Sequence, residues 1–301
     1  MAWDFRTNPT QRQRRLGQEL QRLRESTGLS AAEAGEHIGV SRAYMSNIEA
    51  GRTNISVDKA RSLTELYGCT GRRLVDGLVA MAESDGRGWW SEYRRFANPG
   101  LLDLVELEDS ATTVRTFHWL YVPGLLQTPE YTRELFHGWA GDYPAESLER
   151  YAEIRRRRQA ILVRDDPATC HAIIREGVFR MGFIDPKVMV DQLEYLIEAA
   201  RSPNITLQIV PYGAPTNPSA RGAFTIYDAW SPELRTVNLE QPISMMFLTE
   251  QRQLEEFTAH FARLARVALA PLDPRSAPGE GSLGLAQYLL YSLKETIHGR
   301  F

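Results

Sequence analysis

The sequence predicts a multidomain chain: an N-terminal all-α domain of five short helices, then an α+β domain built around a mixed sheet. Three observations carry this. In the first eighty or so residues, apolar residues recur at helical steps between capping residues and glycines. Beyond a short linker at Ser84 to Gly88, helical patterns alternate with short β-branched runs. The chain has 301 residues and is 43% hydrophobic, enough to bury two cores, which excludes wholesale disorder.

In chain order, residues 1–10 read as an arm. A helix follows with Leu16, Leu20 and Leu23 on one face, stopping at Gly28. Ser30 caps a helix over Ala31 to Ile38, with Glu33 placed for a capping box, and Gly39 breaks it. Ser41 caps the next helix, to Ala50, closed by Gly51. Val57–Tyr67 and Gly71–Met81 complete a domain over 11–83. In the second domain, 89–270, helices are expected at Trp89–Phe96, Gly100–Leu107, Pro129–Trp139, Pro144–Val163, Pro186–Ala200 and Phe247–Leu269. Strands are expected at Thr112–Trp119, Thr169–Ile174, Ile205–Val210, Ala223–Tyr227 and Arg235–Leu239, the last two as a hairpin turning at Ser231-Pro232. Residues 271–284, rich in Pro, Gly and Ser, read as a tether. A terminal helix within 285–301 carries Leu285, Leu289, Leu293 and Ile297 on one stripe, to pack on its own domain or dock onto a partner.

Charge is uneven. Met1 to Ala82 holds Arg6, Arg12, Arg14, Arg15, Arg22, Arg24, Arg42, Arg52, Lys59, Arg61, Arg72 and Arg73 against nine carboxylates, so 12 − 9 = +3. The whole chain is −3, so the remainder is −6. A mildly basic head on an acidic body fits contact with DNA through the head. The arm arginine Arg6, with Arg12, Arg14 and Arg15, is expected to reach phosphates. Cys69 and Cys170 form no CxxC pair, which argues against a disulfide scaffold or thiolate zinc site and for a cytoplasmic setting. No apolar run approaches a membrane span, and Met1 to Gln13 lacks the apolar stretch of a secretory signal.

The most informative stretch is Leu29 to Arg52. Gly35 supplies a small residue where two helices cross, Gly39 permits a sharp turn, and Met45 and Ile48 point back from the second helix. Ala34, Ile38 and Val40 complete the inner surface. This stretch, with its Ser46-x-Ile48-Glu49-x-Gly51-Arg52 exit, resembles the lambda-repressor-like (XRE) helix-turn-helix family over about Leu16 to Met81. The resemblance implies that Arg24 and Glu49 form a structural ion pair. It implies that Ser41 to Ala50 enters the major groove, with Arg42, Ala43, Tyr44 and Asn47 meeting bases. Ser30, Ser41, Ser46, Arg52, Thr53 and Asn54 would then hold the phosphates. This chain departs from the family pattern at Ala31, where a glutamine is common, and at Ala34-Gly35, where Leu-Ala is usual. The glycine is expected to weaken its helix by about 0.5–1 kcal/mol.

Farther on, Tyr121-Val122-Pro123-Gly124-Leu125-Leu126-Gln127-Thr128-Pro129-Glu130-Tyr131 forms a second signature with Arg155-x-x-Arg158-Gln159, Arg175 to Phe179 and Asn204 to Pro211. With these the chain looks like the actinomycete antitoxin-like regulators, which join such a helix-turn-helix to a conserved domain of unknown function. That resemblance implies a small protein partner and no established catalytic residues. Arg155 and Arg158 flank an apolar helical stripe and need carboxylates or a ligand anion, with Glu130, Glu176 and Glu240 as candidate mates. Arg155, Arg158, Gln159, Glu176 and Glu240 are thus either structural ion pairs or an effector site. Catalytic fingerprints such as GxSxG, HExxH, GxxxxGK[ST] and GxGxxG are missing, the histidines lack metal-ligand spacing, and no cofactor or metal is expected.

The expectation is therefore a cytoplasmic, non-enzymatic regulator that binds a partly palindromic operator in duplex DNA as a homodimer. Its C-terminal domain would sense a small partner protein or ligand, and repression is expected over activation by family analogy. Two alternatives stand beside it: an antitoxin-like module for which DNA binding is secondary, and a small-molecule receptor.

Overall fold

A computed structural model describes residues 8–139, 145–215, 221–240, 245–277 and 279–298. Arg6, the expected helix start at Pro144 and the last residues, 299–301, lie outside the described residues.

The head forms five helices: α1 (Gln11–Thr27), α2 (Ala31–His37), α3 (Arg42–Glu49), α4 (Val57–Leu66) and α5 (Arg72–Glu83). Their starts follow from local chemistry. Thr10 and Ser30 make full capping boxes with Gln13 and Glu33, and Ser41 and Ser56 accept from the backbone N–H groups of Tyr44 and Lys59. Gly28 ends α1 in the left-handed region at φ 77°. The helices close over Leu20, Ala34, Met45, Ala60, Leu63 and Leu78, each fully buried.

After the head come a 3-10 turn (Trp89–Tyr93), α6 (Pro99–Asp109), β1 (Ala111–His118), α7 (Pro129–Trp139), α8 (Ala145–Arg158), β2 (Thr169–Arg175) and α9 (Pro186–Ala199). Then follow β3 (Ile205–Val210), β4 (Phe224–Ala229), β5 (Thr236–Glu240), β6 (Met245–Leu248), α10 (Gln251–Val267) and α11 (Gly281–His298). The strands form one mixed sheet in the order β3-β2-β1-β4-β5-β6, with β1, β2 and β3 mutually parallel. Phe117 lies opposite Ile173, and Ile174 opposite Ile209. The C-terminal halves of β2 and β3 are mostly buried, Ala172 to Ile174 in β2 and Leu207 to Val210 in β3, as parallel strands covered on both faces must be.

Sequence reasoning placed some features elsewhere. Strand β6 lies where a helix starting at Phe247 was expected. The helix expected to run to Val163 gives way to a 3-10 turn over Gln159–Leu162, and Trp89–Tyr93 is likewise a 3-10 turn. The expected linker at Ser84 to Gly88 does not mark the compact division of the chain. One unit comprises Met1–Thr112, Tyr227–Thr236 and Gln241–Thr249; the other comprises Thr113–Ile226, Val237–Glu240 and Glu250–Phe301. The reason is a buried polar seam between α1 and α6. Arg12 Nε lies 2.6 Å from Glu106 Oε1, with both side chains almost wholly buried, and Arg12 also bonds the Met81 carbonyl. Beside them the Gln11 N–H donates to Asp103 at 3.1 Å.

Residues 271–284 are not a loose tether either. The Leu269 and Leu272 N–H groups donate to the Ile209 and Leu207 carbonyls at 2.9 and 2.7 Å, and Ser282 Oγ accepts from the Ile209 N–H. The C-terminal segment thereby satisfies the open edge of β3. Helix α11 starts at Gly281, earlier than expected, and packs on α9, with Leu283, Ala286 and Leu289 buried. Of the expected stripe, Leu285, Leu293 and Ile297 are only half-buried.

Candidate nucleic-acid interface

Helix α3 is short, capped and two-faced. Met45 and Ile48 sink into the head's core, while Arg42, Ala43, Tyr44 and Ser46 are exposed and Asn47 is half-buried. The expected base-reading residues Arg42, Ala43 and Tyr44 are therefore open to solvent, with Arg42 at the helix's first position. Two close approaches fix that face. A Cβ on Gly35 would sit 2.8 Å from the Val40 carbonyl oxygen, so α2 can run tight against the turn leading into α3 only with glycine there. A Cβ on Gly17 would meet the Glu49 carbonyl and lie 2.5 Å from that of Ile48, so α1 crosses the end of α3 nearly backbone to backbone. Nothing in the local pattern around Gly17 signals this.

Arg24 and Glu49 are joined as a bidentate pair, Nε to Oε1 at 2.6 Å and Nη2 to Oε2 at 3.1 Å. Arg24 Nη1 also donates to the Leu29 carbonyl at 2.7 Å, so one guanidinium ties α1, the entry to α2 and the end of α3 together. The bonds to Glu49 hold the Arg24 pKa above its usual value.

The expected phosphate-holding residues border α3. Ser30, Ser41, Ser46, Arg52 and Asn54 are exposed and Thr53 is half-exposed. Some are partly committed: Asn54 Oδ1 accepts from Gln13 Nε2 at 2.8 Å, and Ser41 Oγ caps α3. The Ser30 N–H is taken by Glu33 Oε2 at 2.8 Å, which puts a carboxylate at the start of α2 and opposes a phosphate there. Of the arginines expected to extend this surface, Arg12, Arg14 and Arg15 are engaged within the head. Arg12 is buried against Glu106, Arg15 is buried against Glu19 at 2.9 Å, and Arg14 bonds the Pro9 carbonyl and Asp103. They belong to α1 and its packing, because a helix begins at Gln11 and turns its polar faces inward onto carboxylates.

In the other unit, the second group of expected residues separates. Gln159 Nε2 donates to the Gln127 carbonyl at 2.6 Å, and Arg155 Nη1 donates to Gln127 Oε1 at 2.7 Å while lying over the Phe136 ring. Glu240 accepts from the Tyr121 hydroxyl at 2.6 Å. Burial alone would raise the Glu240 carboxyl, but His118, the Tyr121 hydroxyl and the Arg155 and Arg158 charges outweigh it and hold the pKa below the usual range. Burial pushes His118 down to about 4, and its Nδ1 has no hydrogen-bond partner among the described residues. Glu176 is elsewhere, holding Arg180 at 2.8 Å and the Tyr212 N–H at 2.9 Å, and Glu130 pairs with Arg133. Sequence reasoning quoted Tyr121 only within the second signature and gave His118 no part in this group; both lie just upstream of the Pro123-Gly124 turn. Among the described residues no cluster of three or more His, Cys, Asp or Glu is arranged to hold a metal, and no helix is long and apolar enough to cross a membrane.

Capped helices, a tight turn and an exposed α3 define a helix-turn-helix domain, and residues 15–76 match the helix-turn-helix domain family. Residues 101–277, more than half of the chain, match DUF5753, a domain of unknown function, and the chain belongs to that family. It is also similar to the HTH-type transcriptional regulator DdrOP3 of Deinococcus deserti, 34% identical over 64 residues. That stretch spans 21% of this chain and half the length of the relative. No solved structure matches the chain.

Proposed function

We propose that the protein is a sequence-specific DNA-binding transcriptional regulator that reads duplex DNA through α3. The observation that carries this is the exposed row Arg42-Ala43-Tyr44 on a helix whose opposite face, Met45 and Ile48, is locked into the core. Arg42 suits bidentate contact with guanine, Ala43 a thymine methyl, Tyr44 and Asn47 base edges, and the residues around them the backbone. The match to a helix-turn-helix regulator over this region supports the same reading. One α3 covers one half-site, so the protein acts as a homodimer on a partly palindromic operator with half-sites about 34 Å apart. The C-terminal region receives the signal, from a small partner protein or ligand, and the regulation is repression.

The test is selection of bound duplexes from a random pool, followed by Arg42→Ala on the selected site. Specific affinity should fall about 5- to 150-fold, from the ~1–3 kcal/mol of one bidentate base contact, with binding to random duplex nearly unchanged. Equal loss on both would remove Arg42 from base reading. Failure to enrich any sequence would remove the proposed function.

A further inference from the structure

The helix-turn-helix core is not completed by helix-turn-helix sequence. Leu234, some 150 residues beyond α5, is fully buried as a member of the head's hydrophobic cluster, which also holds Leu20, Leu63, Leu74, Leu78 and Met81, and Trp230 packs against the same cluster. Both residues lie inside the DUF5753 match and outside the helix-turn-helix match. The fit admits no slack: a Cβ on Gly77 of α5 would lie 2.8 Å from Leu234 Cδ1 and 3.2 Å from Ser231 Cβ. Polar contacts pin the same segment to α1, with Arg15 Nη2 donating to the Glu233 carbonyl at 3.3 Å and Gln11 Nε2 to Thr236 Oγ1 at 3.4 Å.

The segment is also held under strain. Trp230 has φ 65°, the left-handed region that a bulky L residue avoids, and among the described non-glycine residues it alone does so. The Trp230 N–H donates to the Ser110 carbonyl at 3.3 Å, while Asp228 and Arg235 close the base of the loop with an ion pair at 2.5 Å. Leu234 lies two residues before the start of β5, and Trp230 directly follows β4.

We propose that Trp230 and Leu234 form a clasp that positions the helix-turn-helix for DNA reading, so that release of the 230–234 loop loosens α1, α4 and α5 and lowers operator affinity. These are positioning residues acting through α5, and their effect on DNA rests on the function proposed above.

Hydrogen exchange on the full chain reads the clasp without DNA. Leu234→Ala should speed exchange in α1, α4 and α5 by about thirtyfold or more, as a core Leu→Ala loss implies, and weaken binding to the selected operator at least about tenfold. Leu234→Met, which conserves volume, should restore both to within about threefold. Asp228→Asn, at the base of the loop and away from the head's core, should produce a smaller rise in the same helices. Leu264→Ala, equally buried but on α10, should leave those amides unchanged. The clasp is overturned if Leu234→Ala leaves α1, α4 and α5 exchange at the wild-type rate, if Leu264→Ala raises it equally, or if Asp228→Asn leaves α5 unmoved. A wild-type chain that selects no duplex would sink the DNA reading while these exchange results still decided the clasp.

Discussion

Removing the Arg24 guanidinium should cost the head about 3–5 kcal/mol, the usual penalty for leaving half of a buried ion pair behind. The magnitude follows from the geometry. In Arg24→Ala the Glu49 carboxylate, only 7% exposed in its side chain, loses bonds of 2.6 and 3.1 Å at once. Each charge-assisted bond is worth about 1.5–3 kcal/mol, and the Leu29 carbonyl loses a third. Against a total stability of about 5–15 kcal/mol for a domain, the loss is a third or more of a typical value and large enough to shift the unfolding midpoint clearly. Urea unfolding followed by tryptophan emission is the assay, since Trp230 packs on this core. Arg201→Ala is the control: its pair with Glu198 is more than half exposed on the arginine side and should be worth less than about 1 kcal/mol. Arg24→Met with Glu49→Leu should recover most of the loss, because a buried pair replaced as a whole by apolar groups is often neutral. Equal costs for Arg24→Ala and Arg201→Ala would refute the reasoning, as would a double variant worse than either single change.

Three further perturbations test the packing. Folded His118 stays neutral down to about pH 4, whereas unfolded it titrates near 6.5, so the unfolded state takes up the proton first. Its stabilising effect is complete above pH 6.5 and is lost as pH falls toward 4, amounting to about 2 kcal/mol by pH 5; urea midpoints for wild type and His118→Gln should converge in acid, and parallel curves would contradict the assignment. Deleting residues 271–301 should lower the melting temperature and provoke aggregation by baring the β3 edge and the α9 face; wild-type melting would restore the tether. Gly35→Ala should destabilise by about 1–3 kcal/mol, because the new methyl meets the Val40 carbonyl at 2.8 Å, and a stabilised variant would show that the turn yields.

The last of these marks where sequence reasoning stops. Helix periodicity, caps and the turn glycine are local properties, and they sufficed for α1 to α5 and for the five strands expected, whereas the row Arg42-Ala43-Tyr44 was read from the family resemblance. The Arg24–Glu49 pair came only through a family resemblance, since nothing in spacing alone joins residues 25 positions apart. Propensity makes Gly35 a weakness, whereas the carbonyl above it makes glycine a requirement. Leu234 and the Arg12–Glu106 pair were illegible for a related reason: burial partners more than ninety residues apart leave no periodic trace. Strand β6 was lost because Met245–Leu248 runs directly toward a strongly amphipathic helix and shares its apolar character.

Those long-range pairs change what the head's charge means. The net +3 of Met1 to Ala82 counts Arg12, Arg14, Arg15, Arg22 and Arg24 as available to DNA, yet all five are bound to carboxylates. Near α3 the exposed cations are Arg42 and Arg52, with Ser, Thr and Asn supplying neutral donors. Counterion release scales with phosphates neutralised, so about two cations per head predict a log–log salt slope near −2 per head and about −4 for a dimer on its operator. A slope of roughly −6 or steeper would require bases beyond this face. If Arg6→Ala then flattened it, the N-terminal residues would be the source; if not, the cations would have to come from Lys59, Arg61, Arg72 and Arg73 on the rest of the head or from outside it, and α3 would no longer account for the electrostatics of binding.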